Sequence, residues 1–233
     1  MLPLLAIAQD DGAAAAAAMT PQQILDAARA AARDGNADAA VDHLQRLVDG
    51  GFTSVALFQN DKDLGQLAGH AGYDELISNL ERVAYPCEHD EAFREFDFWV
   101  GSWDVHTANG TFAGKNEISR EERGCVLVEH WQNAYGSTGS SINYVDKITG
   151  EWVQVWNDAS GSQINIRGGL GEDGMRMSGT IHYVATGQTL PFRALWTPLE
   201  DGRVRQFFEA SNDEGQTWTA WFEGFYSRSK DTD

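Results

Sequence analysis

Glu129 stands two residues before Trp131, and the same spacing joins Trp152, Gln154, Trp156 and Asp158. Residues two apart in a strand share a face, so each polar group would lie beside tryptophan rings. Arg193 sits in Phe192-Arg193-Ala194-Leu195-Trp196, and Gln206 and Glu209 sit in Arg205-Gln206-Phe207-Phe208-Glu209. If these faces turn inward, they line a hollow with aromatic surface and a few oriented polar groups, as small-molecule sites are usually built. Trp99, Trp103, Trp131, Trp156 and Trp196 would supply stacking area. Glu129, Asn143, Gln154, Arg193 and Gln206 would orient the ligand. A charge in such a place needs a partner, so Arg193 is expected to pair with Glu129 or Glu209. Gln206 and Glu209 have opposite parity, so both face inward only across a bulge. The same set supports a second chemistry. Glu129 or Glu209, desolvated beside an Arg193 clamp, could act as general acid or base in an isomerisation, elimination or hydrolysis. Neither reading requires a cofactor. The opposite orientation, with tryptophans outward and polar groups in water, would produce the same alternation.

The elements that must position these residues are short strands. Alternating runs occur at residues 103–107, 111–122, 125–133, 140–146, 151–158, 163–168, 175–184, 190–198, 204–211 and 218–227. Asn109-Gly110, Thr149-Gly150, Ser160-Gly161, Thr186-Gly187 and Asp201-Gly202 fall between them and supply the turn chemistry of tight hairpins. About ten up-and-down antiparallel strands at this spacing predict a closed barrel, which leaves no sheet edge exposed.

The N-terminal part reads differently. Thr20-Pro21 is a helix start, followed by Ile24, Leu25, Ala28, Ala31 and Ala32 on one face. Asp34-Gly35-Asn36 interrupts, and Ala39, Val41, Leu44, Leu47 and Val48 form a second stripe before Gly50-Gly51. Residues 55–58 and 73–83 suggest further helices. Tyr85-Pro86 marks the boundary, because the residue before proline is pushed out of helix. The expected fold is therefore α+β: residues 1–19 a leader remnant and linker, 20–85 a small helical domain, 86–233 the barrel.

Residues 96–105 read F-D-F-W-V-G-S-W-D-V. This resembles a bacterial lipocalin-like (calycin-type) domain family whose members open with F-D-F-W-x-G-x-W-x-V. Gly124-Cys125 with Glu129 and Trp131, Ser140 to Tyr144, Trp152-x-Gln154-x-Trp156, and Arg205-Gln206 to Trp218 continue the likeness from about Cys87 onward. The resemblance implies a calycin-type barrel and specifies no chemistry. The helical hairpin resembles a single tetratricopeptide-like unit. A solenoid groove needs about three or more repeats, so this hairpin would serve to dock or to recruit a protein partner. Residues 211–218, Ser-Asn-Asp-Glu-Gly-Gln-Thr-Trp, fit S-x-D-x-G-x-T-W and are similar to the Asp box of sialidase-type propellers. A propeller needs several copies, so one copy reads as a turn device.

Seventeen basic against 35 acidic residues give a net charge of -18, which repels phosphate backbones and makes nucleic acid a poor partner. No apolar run reaches the length of a membrane span. Leu2 to Ala8 is a short apolar run ending Ala6-Ile7-Ala8, the small-x-small pattern of a signal-peptide cleavage site, which points to a periplasmic or secreted protein. In an oxidising compartment the two cysteines, Cys87 and Cys125, could close a bridge from the interdomain segment to a barrel strand. A reactive thiol is the alternative, but no base stands beside Cys125. His43, His70, His89, His106, His130 and His182 show no metal-ligand spacing, so no metal site is expected. The first expectation is an exported barrel that binds a small apolar or aromatic molecule. A cofactor-independent enzyme and an interaction module acting through the helices are the alternatives.

Overall fold

The structure, a computed structural model, describes residues 19–230. The leader remnant expected over residues 2–8, and the linker up to residue 18, lie outside them. The chain divides into two compact units between Ala84 and Tyr85.

The first unit holds α1 (Pro21–Arg33), α2 (Ala37–Asp49), α3 (Val55–Asn60) and α4 (Ala71–Ala84). Thr20 starts α1 with a reciprocal cap: its hydroxyl accepts from the Gln23 N–H while the Gln23 side chain accepts from the Thr20 N–H. Two orphan helix donors are thereby satisfied. Asn36 caps α2 through the Ala39 N–H. Leu25, Ala28, Ala40, Leu44, Phe58, Leu76 and Leu80 are buried within the unit. Arg29, paired with Asp61 at 2.7 Å, fastens α1 to the turn after α3.

The second unit is a closed barrel of ten antiparallel strands. They are β1 (Gly101–His106), β2 (Phe112–Glu121), β3 (Val126–Asn133), β4 (Thr138–Asp146), β5 (Glu151–Asp158), β6 (Gln163–Gly171), β7 (Gly174–Tyr183), β8 (Gln188–Pro198), β9 (Val204–Ala210) and β10 (Thr219–Arg228). Each strand pairs with its chain neighbours, and β1 pairs with β10, Val105 opposite Tyr226. The period-2 burial of β9, with Val204, Gln206, Phe208 and Ala210 buried and Arg205, Phe207 and Glu209 less so, shows how sequence alternation becomes an inside and an outside.

One end is plugged. A short helix, α5 (Pro86–His89), and 3-10 turns at Glu91–Arg94 and Asp97–Trp99 bring Phe93, Phe96 and Trp99 into the core. Phe96 stacks on Trp99 with ring centroids 4.9 Å apart and meets Trp152 and Trp196 edge-on. The plug's polar residues grip the neighbouring hairpins: Lys147 pairs with Asp90 at 2.8 Å, and Trp152 Nε1 donates to Glu95 Oε2 at 3.1 Å. Asp97 pairs with Arg120. Gly101 follows at φ +132°, a conformation side chains rarely adopt, and an added Cβ would lie 1.8 Å from the Arg228 guanidinium. That guanidinium donates to the Val100 carbonyl and lies over the Trp103 ring.

Cys87 in α5 is bonded to Cys125, the residue before β3. Arg94 Nη2 donates to the carbonyls of both Cys87 and Gly124, at 2.7 and 3.0 Å. The bridge therefore closes within the barrel unit, tying the plug to the β2–β3 corner. It does not reach the helical unit, because the segment around Cys87 belongs to the barrel side of the division.

At the opposite end, the Ser211–Trp218 hairpin is organised by Asp213. Its carboxylate accepts from the Thr217 N–H at 2.8 Å, the Thr217 hydroxyl at 2.6 Å and the Ser211 hydroxyl at 2.7 Å. Trp218 Nε1 donates to the Gly215 carbonyl. These bonds favour the ionised form and hold the Asp213 pKa down to about 2. A lowered carboxylate pKa adds stability above its ordinary 3.8 and loses it as the pH falls through about 2. A carboxyl-carbon NMR titration of Asp213 should therefore show a midpoint near 2. A midpoint at the ordinary value would mean that the hairpin does not hold this geometry.

Candidate functional site

The barrel is filled at the plug end and hollow at the other. A cavity of about 470 Å³ opens among the β1–β2, β3–β4, β5–β6 and β9–β10 hairpins. Five sequence-selected residues line it: Glu129, Trp131, Gln154, Trp156 and Gln206. On β3, β5 and β9 the polar residue lies two positions farther from the open-end hairpin than a ring on the same strand. Glu129 precedes Trp131, Gln154 precedes Trp156, and Gln206 precedes Phe208. The cavity thus has a polar floor and an aromatic wall.

The floor is one hydrogen-bonded chain. Asn116 Nδ2 donates to Glu129 Oε1 at 2.7 Å and to the Tyr226 hydroxyl at 3.3 Å. Ser141 Oγ donates to Glu129 Oε2 at 2.7 Å, and receives a bond from Asn143 Nδ2 at 2.9 Å. Gln154 Nε2 donates to Asn143 Oδ1 at 2.8 Å, and the Tyr226 hydroxyl donates to Gln206 Oε1. Among the described residues, the Asn116 side-chain oxygen is the buried polar atom of this hydrogen-bonded set left without a hydrogen-bond partner. Glu129 is 5% exposed. Burial pushes its carboxyl pKa up, while Asn116, Ser141 and the neighbouring His130 pull it part of the way back. Burial also raises the Tyr226 hydroxyl well above its ordinary value, with the Glu129 charge adding to the effect.

The wall depends on two glycines. Trp156 lies across Gly139, where an added Cβ would come within 2.4 Å of the ring. At Gly114 an added Cβ would meet the Gln132 carbonyl at 2.2 Å and the Trp131 ring at 2.7 Å, so there both the β3 backbone and the ring need the space. A backbone without a side chain gives each flat ring its seat.

Several sequence-selected residues are elsewhere. Trp99, Trp103 and Trp196 face the interior, but at the plug end, where they are packed and line no part of the hollow. Trp103 donates from Nε1 to the Trp99 carbonyl at 2.8 Å. Asn143 is fully buried beneath the floor, its amide spent on Ser141, Gln154 and the Leu127 carbonyl. Arg193 and Glu209 face outward. They are cross-strand partners in register and pair at 2.6 Å, with the guanidinium 4.4 Å from the Trp218 ring centroid. The pairing with Glu209 is the expected one. The expected clamp beside Glu129 does not exist, because a partly buried carboxylate and a ring on the outer wall satisfy the cation there.

Sequence reasoning missed Asn116, Ser141, Phe208, Trp221, Phe222 and Tyr226. Tyr226 shares parity with Phe222, and β10 pairs with β9, so a register argument from Gln206 would have found both. Trp221 could not be found that way. The β9–β10 register shifts between Ala220 and Phe222, leaving Trp221 as the extra residue of a bulge. Trp221 and Phe222 therefore both reach the cavity, where strict alternation would allow one. Trp221 Nε1 donates to the Tyr183 hydroxyl at 2.8 Å.

Among the described residues, no group of three or more His, Cys, Asp or Glu side chains is placed to hold a metal. His130 lies against Ser140 and His182 against Thr189. No helix among them is long and apolar enough to cross a membrane. In comparisons with known proteins, no family model matches the chain and no curated protein matches it significantly.

Proposed function

We propose that this is an exported, lipocalin-like barrel that binds a small apolar or aromatic molecule in its open-ended cavity. The observation that carries the reading is the hollow itself: about 470 Å³, walled by tryptophan and phenylalanine over a floor of oriented polar groups. Its volume falls in the usual range for small-molecule sites. Kinship with lipocalin-like barrels is supported by the closed up-and-down topology and the plugged end. Export is supported by the Cys87–Cys125 bond, since disulfides persist in oxidising compartments.

All eight tryptophans belong to the barrel unit, so intrinsic fluorescence reports it alone. Titration with a broad panel of apolar and aromatic molecules should give saturable quenching by some members. Silence across the panel, with nothing copurifying by native mass spectrometry, would overturn the reading. Gly139→Val should then weaken a quenching ligand about tenfold or more, roughly 1.4 kcal/mol, because Trp156 must leave its seat. Circular dichroism should show the barrel retained.

A catalytic use of the same cavity is favoured by one observation, the raised Glu129 carboxyl at its floor. It would act as a general acid or base without an arginine partner. Turnover lost in Glu129→Gln with binding retained would select this reading. Recruitment of a protein partner through the tetratricopeptide-like helices would instead require a complex that residues 20–84 alone can form.

A further inference from the structure

Glu129 is a buried carboxyl with no charged hydrogen-bond partner; the adjacent His130, the one cationic group that acts on it, is exposed and lies against Ser140. The two Glu129 oxygens accept from an amide and a hydroxyl, both uncharged, and no Lys, Arg or His lines the cavity among the described residues. The charged groups that do line it are Glu129 at the floor and Asp158 toward the hairpins. Arg167, Arg193 and Arg205, from the adjoining strands β6, β8 and β9, are each tied to an acid near the surface: Glu151, Glu209 and Glu223. These three guanidiniums are therefore committed elsewhere, and on β2, beside the Glu129 strand, Lys115 lies 3.5 Å from Asp104.

A buried carboxylate needs a partner or must stay protonated. Each carboxylate oxygen has further accepting capacity beyond one hydrogen bond, so Glu129 can still receive a donor from the cavity. Above it stand Trp131, Trp156, Trp221 and Phe222, whose ring faces attract cations. We propose that the cavity selects a hydrophobic ammonium ion, its charged head bonded to Glu129 and its apolar body among the tryptophans. The ligand brings into the cavity the cation that no lining side chain supplies. The raised pKa of this carboxyl agrees with this, since burial disfavours its charged form more than its neighbours favour it. The inference rests on the cavity being a ligand site and adds the charge of what it takes.

Three probes with one aromatic body separate the possibilities: 3-phenylpropylamine, 3-phenylpropanol and 3-phenylpropanoate, titrated at neutral pH by tryptophan fluorescence. The amine should bind at least about tenfold more tightly than the alcohol, and the carboxylate not measurably. In Glu129→Gln the amine should fall to the affinity of the alcohol, which stays within about threefold of wild type. In the wild type the preference should persist in about 0.5 M NaCl, because a buried pair is screened far less than the acidic surface. That measurement stands even if the variant does not fold. Equal affinity for amine and alcohol, a preference that survives Glu129→Gln, or one abolished by salt would each overturn the proposal. If the alcohol binds without an amine preference, the cavity remains a ligand site and only its charge selectivity is lost. If no probe and no member of the wider panel binds, both readings fall together.

Discussion

Trp99→Ala is expected to lower the stability of the barrel unit by about 3–5 kcal/mol. Trp99 is fully buried, stacked on Phe96 and tilted against Trp196 at 5.6 Å between centroids. Removing the indole opens a void at the centre of the plug. The void is flanked by large rigid rings, which collapse poorly into empty space, so the cost falls in the upper range for core truncations. The bond from Trp103 Nε1 survives, because it ends on the Trp99 backbone carbonyl. For a chain of this size the loss corresponds to a fall of roughly 6–20 °C in melting temperature. Near-ultraviolet circular dichroism would follow it, since every tryptophan lies in this unit. Trp99→Phe should cost much less. A loss below about 1 kcal/mol for the alanine variant would mean that the plug is not part of the cooperative core.

Replacing Cys87 and Cys125 together with serine should remove about 2–4 kcal/mol from the same unit. The bridge spans 38 residues, and cutting it restores the freedom of that loop in the unfolded chain. The lower half of the range is expected. Arg94 still joins the Cys87 and Gly124 carbonyls, and Arg123 still pairs with Glu88 while lying over the Tyr85 ring. Those contacts hold the plug to the β2–β3 corner after the covalent link is gone. Adding Arg94→Ala to the double serine variant should therefore cost more than the two changes measured separately. Chemical denaturation followed by tryptophan emission would measure all three. Additive losses would show that the arginine and the disulfide do not share one attachment.

The sequence pattern and the structure agree where the reasoning depended on alternation. Glu129 with Trp131, and Gln154 with Trp156, share an inner face because a strand repeats every two residues. The turn dipeptides placed the hairpins, and every expected strand is present within a few residues. Height along the barrel was not legible. Trp196 and Trp156 both point inward, yet one is packed beneath the plug and the other walls the cavity. Periodicity records inside against outside and carries no axial coordinate. Arg193 shows a different limit. Its parity opposes Phe192, Ala194 and Trp196, which already argued for the outer wall, and its partner Glu209 opposes Gln206 likewise. The Trp221 bulge is a register shift set by pairing between distant segments, and no local signal marks it.

The pairing of β1 with β10 sets a condition on synthesis. The rim near Val105 finds its neighbour only when Tyr226 and the residues around it have been made, more than a hundred positions later. Until then a growing chain carries two raw borders, one beside Trp103 and one along β9, with Trp131 and Phe208 open to water on their inner sides. Domains generally fold in the order they are made, so the N-terminal helices can be complete while the sheet behind them is still a curved, unsealed ribbon. Whatever protects the newborn polypeptide must act over that interval, and most of all while β10 is being added.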